Sequence, residues 1–318
     1  MRTKLILLSL LLLAQIGLAF ALGINSDHLK AFDATERLLA LGNDTPDQLT
    51  IEGPEKQQLV LKKQDGHWTL PAHFGALADG AKIDGLLKSL TDLRRPWPVA
   101  ENDSADKRFK VADDSFERRL TLRHGDKELG SLLLGSSPGF RKVHARVAGE
   151  KNVYDIPFST YQVSLKAADW VDKGQLHLSD GQITGLTLAD CQLVKKGKQL
   201  EVADLKDGEQ TNAAKVTELL NKLANLTILD VAGKPEQSLA GPVVLNVALS
   251  LADGRQRSYQ FIKGADGKDL QLQVSDQPWL FKVSPGLKDD LAAYTRATLV
   301  QPRPVAKPQA KDTPPAKE

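Results

Sequence analysis

Two stretches of the chain carry the same stripe of apolar residues. Ile83, Leu86, Leu87, Leu90 and Leu93 recur as Val216, Leu219, Leu220, Leu223 and Leu226. Steps of three and four residues place each set on one face of a helix. The pattern predicts one helix over about 78–93 and a second capped by Thr211 or Asn212. Around each stripe, apolar runs of strand length recur in the same order. Before the first stripe they fall at 49–51, 59–61 and 68–70, with Asp65-Gly66 as a hairpin turn. After it they fall at 120–122, 129–135, 143–147 and 153–156, and a closing helix is expected over 159–170. The second copy has runs at 183–188, 192–194 and 200–202 before its stripe. It continues at 244–251, 258–263, 270–274 and 279–283, with a closing helix from Pro285-Gly286 to about Thr298.

Local echoes strengthen the repetition. Leu120-Thr121-Leu122-Arg123-His124-Gly125 resembles Leu249-Ser250-Leu251-Ala252-Asp253-Gly254, and Gly135 falls where Gly264 does. Strands arrive in runs and helices are few, which predicts an α+β fold and not alternating βαβ units. The expected architecture is a tandem duplication of an antiparallel-rich sheet domain, with helices packed on one face. The copies would occupy 46–172 and 173–300.

The region from 5 to 24 is almost wholly apolar, LILLSLLLLAQIGLAFALGI, and follows Arg2 and Lys4. About 20 such residues suffice to cross a bilayer, and preceding positive charge keeps the amino terminus cytoplasmic. The expectation is an N-terminal transmembrane helix within 1–26. It would act as an uncleaved signal-anchor in the inner membrane, with the bulk of the chain periplasmic. The alternative is cleavage near Ala21, because Ala19-Phe20-Ala21 has the small-x-small form of a signal-peptidase site. A short amphipathic connector helix is expected within 27–45. The segment 301–318 is rich in Pro, Ala and Lys without apolar period, which predicts disorder.

Composition narrows the function classes. A formal net charge of +2, with its excess near the two ends, argues against nucleic acid as a partner. A single cysteine, Cys191, rules out an intramolecular disulfide and reads as a small buried hydrophobe. The six histidines include no pair with the i, i+4 spacing of a zinc protease. Gly135-Ser136-Ser137-Pro138-Gly139 lacks the lysine and helix start that a phosphate cradle needs. No G-x-S-x-G nucleophile elbow is present. His67 and His73 flank Trp68 and are the nearest approach to an acid–base or metal pair. Asn102-Asp103-Ser104 matches the glycosylation pattern but is common by chance. No cofactor and no catalytic residue is expected. Trp68, Trp97 and Trp279 are the candidate ligand or interface residues, since exposed aromatics can line a groove.

The exported part resembles a family of uncharacterised bacterial envelope proteins, a domain of unknown function with an N-terminal anchor and a degenerate repeat. The residues that carry the resemblance are Phe32-Asp33-Ala34-Thr35-Glu36-Arg37-Leu38-Leu39 and the run from Leu59 through Trp68-Thr69-Leu70. The striped helix and Val153-Tyr154-Asp155-Ile156 also carry it. Members are often encoded beside gliding-motility-type ABC transporter auxiliary proteins and their permeases. The resemblance therefore implies an accessory role near a transporter-like complex, with a permease or auxiliary subunit as partner. The resulting expectation is a non-enzymatic, membrane-anchored periplasmic accessory or scaffold protein. The alternatives are a periplasmic module binding glycan, peptide or lipid, and an enzyme of unrecognised type.

Overall fold

The computed structural model describes residues 36–304 apart from 239–240 and 265–266, together with Leu12 and Gln15. Apart from those two, the expected anchor lies outside the described residues, as do the start of the connector and the tail from 305. Among the described residues no helix is long and apolar enough to cross a membrane. The fold is α+β, with two large antiparallel sheets and few helices. Two compact units divide it. One holds the described chain through Trp68 together with Gly80–Ala167, and the other holds Thr69–Asp79 together with the described chain from Ala168.

The first large sheet is built from β1 (Gln48–Glu52), β2 (Gln58–Gln64), β3 (His67–Leu70), β4 (Ala76–Leu77), β5 (Pro98–Ala100), β8 (Arg118–His124), β9 (Lys127–Leu134), β10 (Val143–Val147) and β11 (Val153–Ile156). Its order is β4-β3-β2-β1-β8-β9-β10-β11-β5. Between β5 and β8 the chain makes a small hairpin of β6 (Val111–Ala112) and β7 (Ser115–Phe116). Alternation sets the faces. In β8, Leu120 and Leu122 are buried while Arg119, Thr121 and Arg123 alternate with them on the more polar face.

The second large sheet uses β12 (Ile183–Thr187), β13 (Gln192–Lys196), β14 (Gln199–Val202), β16 (Asp230–Gly233), β17 (Val243–Leu251), β18 (Gln256–Lys263), β19 (Leu270–Val274) and β20 (Leu280–Val283). A separate pair joins β15 (Glu209–Thr211) to β21 (Val300–Pro302). The order of the second sheet is β14-β13-β12-β17-β18-β19-β20-β16. Apart from the additional edge strand β4, it repeats the first sheet position for position. In both, the strand after the striped helix closes the far edge, β5 in one and β16 in the other.

The striped helices form where their spacing predicts. Gly80–Thr91 buries Ile83, Leu86, Leu87 and Leu90, and Leu93 is buried just past its end. Ala213–Ala224 starts at Asn212, whose side chain accepts a hydrogen bond from the Lys215 N–H at 3.3 Å. It buries Val216, Leu219 and Leu223, with Leu226 buried beyond its end, but Leu220 is only half-buried. Leu90→Ala is expected to cost about 2–5 kcal/mol, because it opens a cavity at a fully buried site. Leu220→Ala should cost less, about 1–2 kcal/mol, since that side chain is only half-buried. Urea unfolding of the two variants tests this, and equal losses would contradict it.

Three local expectations need correction. No helix spans 159–170; there are two short 3-10 turns, Thr160–Gln162 and Ala167–Asp169. Val163 breaks the run with φ −122° and ψ 62°, and its carbonyl accepts from Arg118 Nε at 3.2 Å instead of from a helical N–H. The second closing helix is likewise two pieces, Leu287–Ala292 and Arg296–Leu299, the latter opened by a capping box at Thr295. Residues 36–42 make turns and an Arg37–Arg94 bridge in place of the end of a connector helix. A helix that the apolar pattern does not predict runs over Asp103–Phe109. The Asn102 side chain caps it, accepting from the Ala105 N–H at 3.0 Å.

Candidate interaction surface

The first unit presents a rigidly based loop after β9. Gly135 is the pivot: its N–H donates to the His144 carbonyl at 2.9 Å. A Cβ added there would lie 1.9 Å from the Phe109 carbonyl oxygen, so only glycine permits this approach. The next residue, Ser136, donates from its N–H to the same carbonyl at 2.8 Å. His144 Nδ1 donates to the Ser136 carbonyl at 2.8 Å, and the imidazole stacks on Phe109 at 4.1 Å between centroids. Its Nε2 lies 3.3 Å from Asp155 Oδ1. Ser137 Oγ closes the loop through the carbonyls of Gly139 and Lys142, each at 2.7 Å. Arg141 adopts the left-handed region with φ +54°.

This frame holds Phe140 out from the protein with 88% of its surface exposed. The Arg141 guanidinium sits 5.0 Å from the Phe140 ring centroid, within cation–π range. Facing the loop is the Thr160–Gln162 turn, where the Ser159 hydroxyl accepts from the Tyr161 N–H at 3.4 Å. Tyr161 is 95% exposed. The loop and the turn together line a concavity of about 850 Å3, with Glu117 and Lys142 also at its wall. Glu117 is already engaged by Lys110 at 2.5 Å. Arg141 and Lys142 form no ion pair among the described residues, so the concavity has a cationic bias. An exposed Phe140 and Tyr161 beside Arg141 match the enrichment of aromatic residues and Arg at protein interfaces.

The tryptophans fall differently from their expected grouping. Trp68 is a core residue, 4% exposed, with its indole N–H donating to Asp84 Oδ1 at 3.0 Å. A ligand cannot reach it, which corrects its place among the candidate groove residues. Trp97 is 70% exposed just before β5. Trp279, in the second unit, is half-buried and donates to the Phe74 carbonyl at 3.0 Å. Trp170 is fully buried.

His67 is exposed at the start of β3. His73 Nε2 meets one carboxylate, Asp230 Oδ1, at 2.8 Å. Among the described residues no three His, Cys, Asp or Glu side chains gather as a metal site would require. Cys191 is buried, as its type predicts, and burial pushes its thiol above the ordinary range, away from thiolate chemistry.

Phe140 and Tyr161 escape sequence reasoning because each is a lone aromatic outside any apolar period, and the period is what shows which way a side chain points. The available signal is local. Phe140-Arg141-Lys142 follows Pro138-Gly139 and belongs to no strand or helix period.

Comparison with known families returns a domain of unknown function, DUF4340, matched over residues 68–242. That is more than half of the chain. No match is found among curated proteins or among solved structures.

Proposed function

The chain belongs to the DUF4340 family, and from that premise we propose that it is a membrane-anchored accessory protein whose first unit docks a protein partner in the envelope. The observation that carries the proposal is the pinned loop that holds Phe140 in the open beside Arg141, opposite an equally open Tyr161. Leaving such aromatics in water gains the free protein little, whereas burying them against a partner contributes strongly to association. The cationic bias of the concavity suits an acidic surface on that partner. In this reading the chain is a tandem duplication, supported by the strand order common to both sheets and by the repeated helix stripe. The apolar segment 5–24 is its transmembrane helix, and the two units lie in the periplasm. The partner is a permease or auxiliary subunit of an ABC-transporter-like complex, and the role is one of binding and positioning, without catalysis.

The test is recovery of partners from gently solubilised membranes with the full-length chain as bait. The wild type is expected to bring down an integral membrane protein in comparable amount. The double variant Phe140→Ala/Tyr161→Ala should lose at least about 2 kcal/mol of binding, or more than about tenfold in recovery. Its unfolding midpoint should not move, because neither side chain is packed. Absence of a membrane companion, or undiminished recovery by the double variant, would overturn the proposal.

A further inference from the structure

The repeated strand register allows the two cores to be compared row by row. In the first unit Ile51 pairs with Leu120 on one side and Leu59 on the other, and the next inward row is Leu122, Leu49, Leu61. All three residues of that row are buried, Leu49 and Leu61 completely. In the second unit Leu186 pairs with Leu249 and Leu193 in the matching place. Beyond it β12 bulges: Ile183 meets Leu251, while Lys195, two residues past Leu193 on β13, meets Leu200 of β14. Ile183 is half-buried and Lys195 exposed. Counted along the strand, Lys195 lies two residues past Leu193 as the fully buried Leu61 lies two past Leu59.

The helix above the row responds. Leu87 is buried over the filled core of the first copy, whereas its counterpart Leu220 is half-exposed in the second. Between helix and sheet lies a hollow of about 300 Å3, walled by Ile183, Leu200, Val216 and Leu220, with Lys195 and Lys198 among its lining. Its size is at the lower end for small-molecule sites. The neighbouring Lys196 is paired with Glu201 at 3.4 Å, but Lys195 and Lys198 form no ion pair among the described residues. Asp180 also lines the hollow and leaves the two lysines in excess.

We infer that this hollow in the second unit is a binding site for an anionic amphiphile, its alkyl chain against Ile183, Leu200, Val216 and Leu220 and its head group at Lys195 and Lys198. The chemistry follows from the walls. An alkyl chain there would cover Ile183 and Leu220, which are only half-buried, and rest against the buried Leu200 and Val216. A carboxylate or phosphate would complete charge-assisted hydrogen bonds with ammonium groups that form no ion pair among the described residues. A free fatty acid and an anionic phospholipid share this chemistry. The site is separate from the partner surface of the first unit and does not depend on it.

The experiment uses the full-length chain in nanodiscs of zwitterionic lipid and a diazirine analogue of decanoic acid as photoprobe, with adducts mapped by mass spectrometry. Adducts are expected on the helix Ala213–Ala224 and on β12 to β14. Excess decanoate should reduce them about tenfold, and decyltrimethylammonium should not. If short-chain phosphatidylglycerol competes better than decanoate, the natural source is a lipid; the reverse order indicates a free acid. Lys195→Leu restores the residue of the first copy and should abolish the adducts while leaving the unfolding midpoint equal or higher. Lys198→Ala, at an exposed turn, should weaken labelling without touching the core. Adducts confined to the anchor would overturn the inference, as would labelling indifferent to both lysine variants. Equal competition by the cationic amphiphile would overturn the assignment of an anionic head group.

Discussion

Gly135→Ala is expected to destabilise the first unit by more than about 4 kcal/mol, a large part of the roughly 5–15 kcal/mol that holds a typical domain folded. The added methyl would lie 1.9 Å from the Phe109 carbonyl oxygen and 2.6 Å from that of Lys110. Both are main-chain atoms, so no side-chain rotation relieves the overlap. The same carbonyl of Phe109 accepts from the Ser136 N–H, and moving it would break the base of the loop that carries Phe140. Gly85 supplies the control. It lies exposed within the helix Gly80–Thr91, and a Cβ there meets nothing within 4 Å. Gly85→Ala should therefore stabilise by about 0.5–1 kcal/mol through helix propensity. Urea unfolding followed by tryptophan fluorescence measures both. A midpoint for Gly135→Ala close to wild type would mean that the loop is not packed against Phe109 as described.

Arg146→Ala is expected to cost about 3–5 kcal/mol at neutral pH, because it strands a mostly buried carboxylate. The Arg146 side chain is 5% exposed. Its Nε donates to the Val111 carbonyl at 2.7 Å, and its Nη atoms donate to the Glu150 carbonyl and to Asp113 Oδ2, each at 2.9 Å. Asp106 Oδ2 lies 3.5 Å away, on a side chain only 13% exposed. Burial pushes the Asp106 carboxyl above its usual range, and the Arg146 charge is what opposes that rise. Removing the charge raises it further. An acid whose folded value exceeds its unfolded value binds protons more readily when folded, so its ionisation costs stability as pH rises through the folded value. The defect of Arg146→Ala should accordingly shrink on acidification. It should also shrink in the double variant with Asp106→Asn, which removes the stranded charge. Unfolding free energies for the four members of this cycle between neutral and acidic pH provide the check. A pH-independent loss, unrelieved by Asp106→Asn, would assign Arg146 to packing alone.

Much of the architecture was legible as period. The helix stripes lie within Gly80–Thr91 and Ala213–Ala224 or just beyond their ends, and the run at 270–274 coincides with β19. Short-range hydrogen bonding was less legible. The Asp103–Phe109 helix has too short an apolar stripe to announce itself, and its only sign is a capping side chain at Asn102. The region 159–170 has the composition of a helix, yet Arg118 arrives from β8 and takes the Val163 carbonyl. The candidate surface was hardest to read. Phe140 and Trp68 are both large aromatics beside basic and polar residues, but one is 88% exposed and the other 4%. The only local difference is that Phe140 follows Pro138-Gly139 outside any period, whereas Trp68 opens a run of strand length. Ser137 ties the chain so that Phe140 points outward, while Asp84 meets the Trp68 indole from a helix sixteen residues along the chain.

By itself, the order of residues determined the type of most elements, their repetition, and the side of each helix or strand that seeks cover. Those properties depend on neighbours within a few positions, where the 3.6- and two-residue periods are written directly in the chain. Only the tertiary structure decided which strands meet, such as β1 beside β8 and β12 beside β17, across long loops. It also decided that Leu61 is sealed in one core while Lys195, at the matching position of its strand, lines an open hollow. Burial is a property of what arrives from elsewhere in the chain, and a residue's own sequence neighbours do not contain it.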